Sequence, residues 1–135
     1  MSETFKVQVL TPVGIVFSGR ATEVVLPGKD GQIGVLAAHQ DIVGLLGTGA
    51  LKLVIDAKPR WFMVSSGFYE VTNGELSILC EIAETPENLD RALASEKAAE
   101  LRRALEGLSA FAPEFPQLSA ELGVEEAKLV VLGKA

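Results

Sequence analysis

From Thr4 to about Glu84 apolar and polar positions alternate in short segments, broken by Gly, Pro, Asp-Gly and Asn-Gly. A period of two is the signature of strands with one buried and one wet face. Phe5, Val7 and Val9 alternate with Lys6 and Gln8, and Leu51, Leu53 and Ile55 with Lys52 and Asp56, while Leu76, Ile78, Cys80 and Ile82 share one face. The run Trp61-Phe62-Met63-Val64 is apolar at every position, which predicts a strand covered twice, by a second sheet or by the helices that follow. Asn73-Gly74, set between two strand-like runs, predicts a type I′ hairpin turn, because both central residues of that turn need positive φ. Such segments add up to about eight to ten strands, a two-sheet sandwich or flattened barrel rather than a βαβ fold.

At Thr85 the period changes. Thr85-Pro86-Glu87 reads as an N-cap, a proline at the first helical position and an acid in the first turn. Leu89, Leu93, Ala94, Ala98, Leu101, Leu105 and Leu108 then recur at three- and four-residue spacing, opposite Glu96, Glu100, Arg103 and Glu106. This predicts an amphipathic helix over about 86–108. Gly107, Pro113 and Pro116 end it, and a second, shorter helix is expected over about 118–132 with Gly123 as its weak point. The expected fold is therefore α+β: an all-β sandwich in residues 1–84 followed by an antiparallel two-helix hairpin in residues 85–135. The short joint at Glu84 to Pro86 is placed to act as a hinge.

Composition narrows the function classes. With 48% apolar and 22% charged residues in 135 positions, the chain is long and apolar enough to bury a core. A net charge of −6 and the absence of any basic run argue against nucleic acid. No apolar run approaches the roughly 20 residues that span a bilayer, and the N-terminal residues lack a secretory or transit pattern. Direct membrane insertion is thus not expected. Cys80 has no partner for an internal disulfide, which fits a reducing compartment, and reads as a small core residue. His39 is the single histidine, too little for a metal cluster or a His-activated nucleophile, so no catalytic residue, metal or cofactor is expected. Gly28, Gly31 and Gly34 do not spell a phosphate-binding loop and no helix pattern follows them; they read as turn geometry.

The segment Gly28-Lys-Asp-Gly31-Gln-Ile-Gly34-Val-Leu-Ala-Ala-His39, followed by Leu45-Leu46-Gly47-Thr-Gly49-Ala-Leu51, resembles the hallmark stretch of epsilon subunits of bacterial F-type ATP synthases. Its flanks, Leu10 to Gly19 and Phe62 to Val71, resemble that family's first hairpin and later strand pair, and the match spans roughly residues 4 to 110. The resemblance implies a rotor subunit of a proton- or sodium-translocating synthase, without catalytic chemistry of its own. Its sandwich would join the gamma subunit to the c-ring, on the cytoplasmic face of the inner membrane as a peripheral protein. Lys29, Asp30 and Gln32 would be polar contacts to the ring, and His39, Gln40 and Asp41 would lie near gamma and the ring. The helical hairpin would fold down or extend toward the alpha and beta subunits, opposing ATP hydrolysis.

Two departures from the family pattern bear on regulation. Epsilon subunits that bind ATP carry Ile or Leu, Asp, two variable residues, Arg and Ala at the start of the first helix, whereas here Leu89-Asp90-Arg91-Ala92-Leu93-Ala94 puts leucine at the arginine position. Arg91 is displaced by two residues, roughly 200° around a helix. Asp90 and Arg91 are the residues left for a nucleotide, and a nucleotide-sensing regulatory module is the alternative function. In the distal helical stretch from Gln117, Lys128 and Lys134 face Glu121, Glu125 and Glu126, a net charge of −1, so attraction to an acidic partner is weak. Arg91, Arg102 and Arg103 are then the candidates for regulatory contacts, against the plainer reading of a solvated face.

Overall fold

The alternating segments become ten strands in the computed structural model, which describes residues 3–134; Met1, Ser2 and Ala135, the extremes of the two expected halves, lie outside the described residues. The strands are β1 (Phe5–Thr11), β2 (Gly14–Ala21), β3 (Glu23–Gly28), β4 (Gly31–Leu36), β5 (Ile42–Leu46), β6 (Gly49–Ile55), β7 (Lys58–Val64), β8 (Gly67–Thr72), β9 (Glu75–Cys80) and β10 (Ala83–Glu84). They run in the order β10-β7-β6-β3-β5-β8-β9-β1-β2, with β4 on the side of β3. Every pairing is antiparallel except that of β1 with β9. β3 and β5 meet at a single residue pair, Gly28 with Leu46, and the sheet folds over at that point into two layers.

The closed space between the layers holds the core. Val7, Val9, Tyr69, Val71, Leu76 and Ile78 come from one layer and meet Val24, Leu26, Leu51, Leu53, Phe62 and Val64 from the other. Each of the larger buried side chains contributes about 1.5–3 kcal/mol through removal from water. Phe17 reaches Phe62 edge to face, with ring centroids 6.0 Å apart. Cys80 is buried among them, and that burial, with the Glu81 carboxylate adding to it, pushes its thiol up to about 11.

The helical part agrees with the expected hairpin in kind and differs in its bounds. Thr85-Pro86-Glu87 forms a 3₁₀ turn over Pro86–Asn88 rather than the start of the helix. α1 (Arg91–Glu106) begins later, because the side chain of Asp90 accepts a hydrogen bond from the Leu93 amide at 3.0 Å and is the true N-cap. α2 (Phe115–Lys134) is the longer helix, not the shorter: Pro116 sits in its first turn, where a proline needs no amide partner, and Gly123 does not interrupt it. α2 lies on β6 and β7, while α1 packs mainly against α2. Met63 joins Ala127 and Val131 in a second small core, bordered by Ala50, Trp61, Ile82, Leu89 and Val124. The double-sided run is thereby explained, since Phe62 and Val64 face the sandwich and Met63 faces the helix.

Two tests follow from the turn and the thiol. The β6–β7 turn holds Asp56 and Ala57 at φ of 52° and 63°, the positive-φ pair of a type I′ turn without a glycine. Asp56 is thus a turn residue and not the wet position of a strand. Ala57→Gly is expected to raise the unfolding free energy by about 0.5–1 kcal/mol in urea titration, since relief of the left-handed backbone outweighs the added chain entropy. The Cys80 thiol, held at about 11 against an ordinary 9.0, binds its proton more tightly folded than unfolded. Its contribution to stability is complete below about pH 9 and is lost as pH rises through about 11. Denaturation midpoints across that interval should fall further for the native chain than for Cys80→Ala.

Candidate interaction face

Directly opposed residues on paired strands point to the same side of a sheet, so the register defines what the outer surface of the β5-β8-β9-β1-β2 layer carries. Leu45 opposes Phe68, Phe68 opposes Leu79, Leu79 opposes Leu10, and Leu10 opposes Ile15. The result is an apolar stripe across five strands. A bulge between Val9 and Leu10 inserts Val16 into β2, which turns Ile15 outward beside Leu10. Ile15, Val43, Leu45 and Phe68 are 61%, 68%, 59% and 49% exposed, and Val13 in the β1–β2 turn is 97% exposed. Toward the opposite end the same face carries Lys6, Gln8, Glu70 and Ser77. Contiguous exposed apolar surface of this kind marks an interaction site.

The loops singled out from sequence border this face in two groups. Lys29 and Asp30 form the exposed turn between β3 and β4, and Gln32 is exposed at the start of β4, after Gly31 at φ of 139°. The Lys29 amide donates to the Leu45 carbonyl at 2.9 Å, and the Gly47 amide to the Pro27 carbonyl at 2.7 Å, which pins this turn beside the stripe. His39, Gln40 and Asp41 follow the other end of β4, about 17 Å away along a six-residue strand. There Nδ1 of His39 lies 2.7 Å from the Gln40 carbonyl, and the Asp41 carboxylate accepts the Asn73 amide at 3.0 Å. The six residues therefore do not form one site. β5 connects their two loops, and its outward Val43 and Leu45 lie between them. Gly44 is bare because the Tyr69 ring occupies the place of a side chain there, which keeps β5 flat against β8.

The helical candidates lie apart from this face. Asp90 is committed to capping α1. Arg91 and Arg103 are exposed, whereas Arg102 is engaged by Glu126 of α2 at 3.1 Å. Glu125 is buried and paired with Lys128, also at 3.1 Å. The groove between the helices is lined by Lys97, Glu100, Glu121 and Glu125 among others, an acidic surround for a polyphosphate. Among the described residues there is no cluster of three or more His, Cys, Asp or Glu side chains suited to a metal ion. No helix there is long and apolar enough to cross a membrane.

The apolar stripe was missed by the sequence reading, although a signal for it exists. Val9-Leu10, Leu45-Leu46, Phe68-Tyr69 and Ile78-Leu79 break the alternation with consecutive apolar residues at strand ends. Which of them share a face depends on strand pairing, and on one bulge, that alternation does not reveal.

The family described as ATP synthase, Delta/Epsilon chain, beta-sandwich domain matches residues 4–86. The ATP synthase epsilon chain of Desulfitobacterium hafniense is 38% identical over 104 residues, covering 76% of this chain and 79% of its own. That of a Synechococcus species is 32% identical over 128 residues, covering 95% and 91%. Among solved structures, a chain of the Euglena gracilis mitochondrial ATP synthase, from its OSCP/F1/c-ring, superposes with a TM-score of 0.80 at 18% identity, covering 98% of this chain and 82% of that one. At that identity it speaks to the fold, helices included. By its sandwich sequence and its relatives, this chain belongs to the ATP synthase epsilon-chain family, whose members are non-catalytic subunits of the synthase.

Proposed function

We propose that this chain sits at the foot of the rotating central stalk of an F-type ATP synthase, held peripherally at the cytoplasmic face of the membrane, and couples the gamma subunit to the c-ring. The observation that carries this is the apolar stripe from Leu45 through Phe68, Leu79 and Leu10 to Ile15, which belongs to neither core cluster of the described residues. Gamma covers the stripe. Lys29, Asp30 and Gln32 meet polar groups of the ring, while His39, Gln40 and Asp41 rim the gamma contact beside Val43.

The hairpin is the regulatory part of this reading. Docked on β6 and β7, it is held by a small apolar cluster and by Lys134 over the Trp61 ring at 5.5 Å. Among the described residues no side-chain hydrogen bond or ion pair crosses from the hairpin to the sheet. Arg91 and Arg103 are the cations available for an alpha or beta subunit, Arg102 being engaged on the surface by Glu126. Nucleotide sensing has less support, because Asp90 is spent as a cap and the inter-helix groove is acidic.

Two measurements test the proposal. Leu45→Ser with Phe68→Ser should weaken binding to the gamma subunit by about 30-fold or more while leaving the thermal midpoint nearly unchanged, as both side chains lie outside the core. Unchanged affinity would remove gamma from this face. In a synthase depleted of this subunit, adding back the intact chain should slow ATP hydrolysis relative to a chain ending at Glu84. Arg91→Ala with Arg103→Ala should recover part of the difference, and equal rates for intact and truncated chains would deny the hairpin any inhibitory role.

A further inference from the structure

At one end of the stripe, where β1 and β9 end and β8 begins, the surface sinks into a hollow of about 290 Å³. Leu10, Pro12, Phe68, Leu79 and Cys80 line it together with the exposed Glu81. Other hollows of similar size are lined by charged side chains, such as the one at Lys29 and Asp30 or the one at Arg60 and Glu87. This one is apolar and continuous with the stripe. It exceeds the roughly 150 Å³ that accepts a benzene ring in a protein interior, and falls just short of the roughly 300 Å³ at which drug-sized ligand pockets begin. The size suits one side chain rather than a free ligand.

We propose that this hollow is the anchor point of the interface, receiving one bulky apolar side chain of the gamma subunit, with a lysine or arginine next to it facing Glu81. The proposal rests on the assignment of the stripe to gamma. Affinity in such interfaces concentrates where a large side chain fills a desolvated pocket, and the surrounding apolar contacts serve chiefly to exclude water. The exposed Val43, Leu45 and Ile15 on the same face supply that surround. Val13 follows Pro12 in the β1–β2 turn, where the Thr11 hydroxyl oxygen accepts its amide at 3.4 Å. Glu81, exposed and acidic in an acidic chain, selects a basic neighbour on the incoming segment.

The test fills the hollow without touching the stripe. Ser66, exposed on its rim, is changed to tryptophan, and binding of the full-length chain to the gamma subunit is measured by surface-immobilised titration, with thermal melting as a fold control. Ser66→Trp is expected to weaken binding by about 30-fold or more, and Val43→Ser, on the flat part of the same face, by less than about 10-fold. Glu81→Lys, a surface change that spares the fold if Ser66→Trp does not, should slow association most strongly at low salt. If Ser66→Trp and Glu81→Lys bind normally while Leu45→Ser with Phe68→Ser does not, the anchor is wrong and the stripe assignment survives. If none of these variants weakens binding, both fail. If the free chain forms a dimer that Ser66→Trp dissolves, the hollow serves a second copy and the proposal is overturned.

Discussion

Closure of two β layers over a shared apolar interior is the constraint on which the other features depend. Each strand offers one apolar edge of its pleat, and only a second layer can cover it. Phe62, Leu51 and Leu53 on one side find Val7, Val9 and Ile78 on the other, and the two layers hold together through that contact far more than through the single hydrogen-bonded pair of β3 and β5. Because the interior is filled from within, whatever apolar residues remain on the outside are surplus to stability. Those on the β5-β8-β9-β1-β2 surface are gathered into a stripe, and those on β6 and β7 are taken up by α2.

The two outer surfaces of the sandwich are therefore handled differently. On β6 and β7, Ala50, Trp61 and Met63 meet Val124, Ala127 and Val131 of α2, an intramolecular answer built from a small cluster. Ala50 and Ala127 let the helix approach closely, and with so few residues buried the contact is weak beside the core. α1 is one step further removed, resting on α2 through Ala94 and Ala98 with the Arg102–Glu126 pair on its rim. An exposed pair of that kind contributes well under about 1 kcal/mol. Among the described residues nothing covers the opposite surface in this way, which is why the proposed subunit contact is placed there.

Charge adds direction to this arrangement. Lys29 and Asp30 in one loop and Asp41 in another flank the apolar stripe, and Glu81 closes one end of it. A greasy surface alone would bind many partners with little regard for orientation, whereas a polar rim penalises misplaced ones through unpaired charge.

Much of the fold was legible in the residues themselves. Alternation around Val7, Leu53 and Ile78, the Asn73-Gly74 turn, the change of period after Glu84 and the doubly apolar run at Trp61 to Val64 are local properties, and local physics decides them. The bounds of the helices were less accessible: whether Thr85 or Asp90 caps α1 turns on which side chain reaches a free amide, and Pro116 can open a helix as readily as end one. The family was legible too, because the stretch from Gly28 to His39 is a linear pattern. The interaction face was not. Leu10, Ile15, Leu45, Phe68 and Leu79 are far apart in the chain, and only strand order, register and the bulge at Val16 bring them onto one surface. Tertiary structure alone decided that, since pairing across a sheet is set by the global closure of the core and leaves no trace in the period of any single strand.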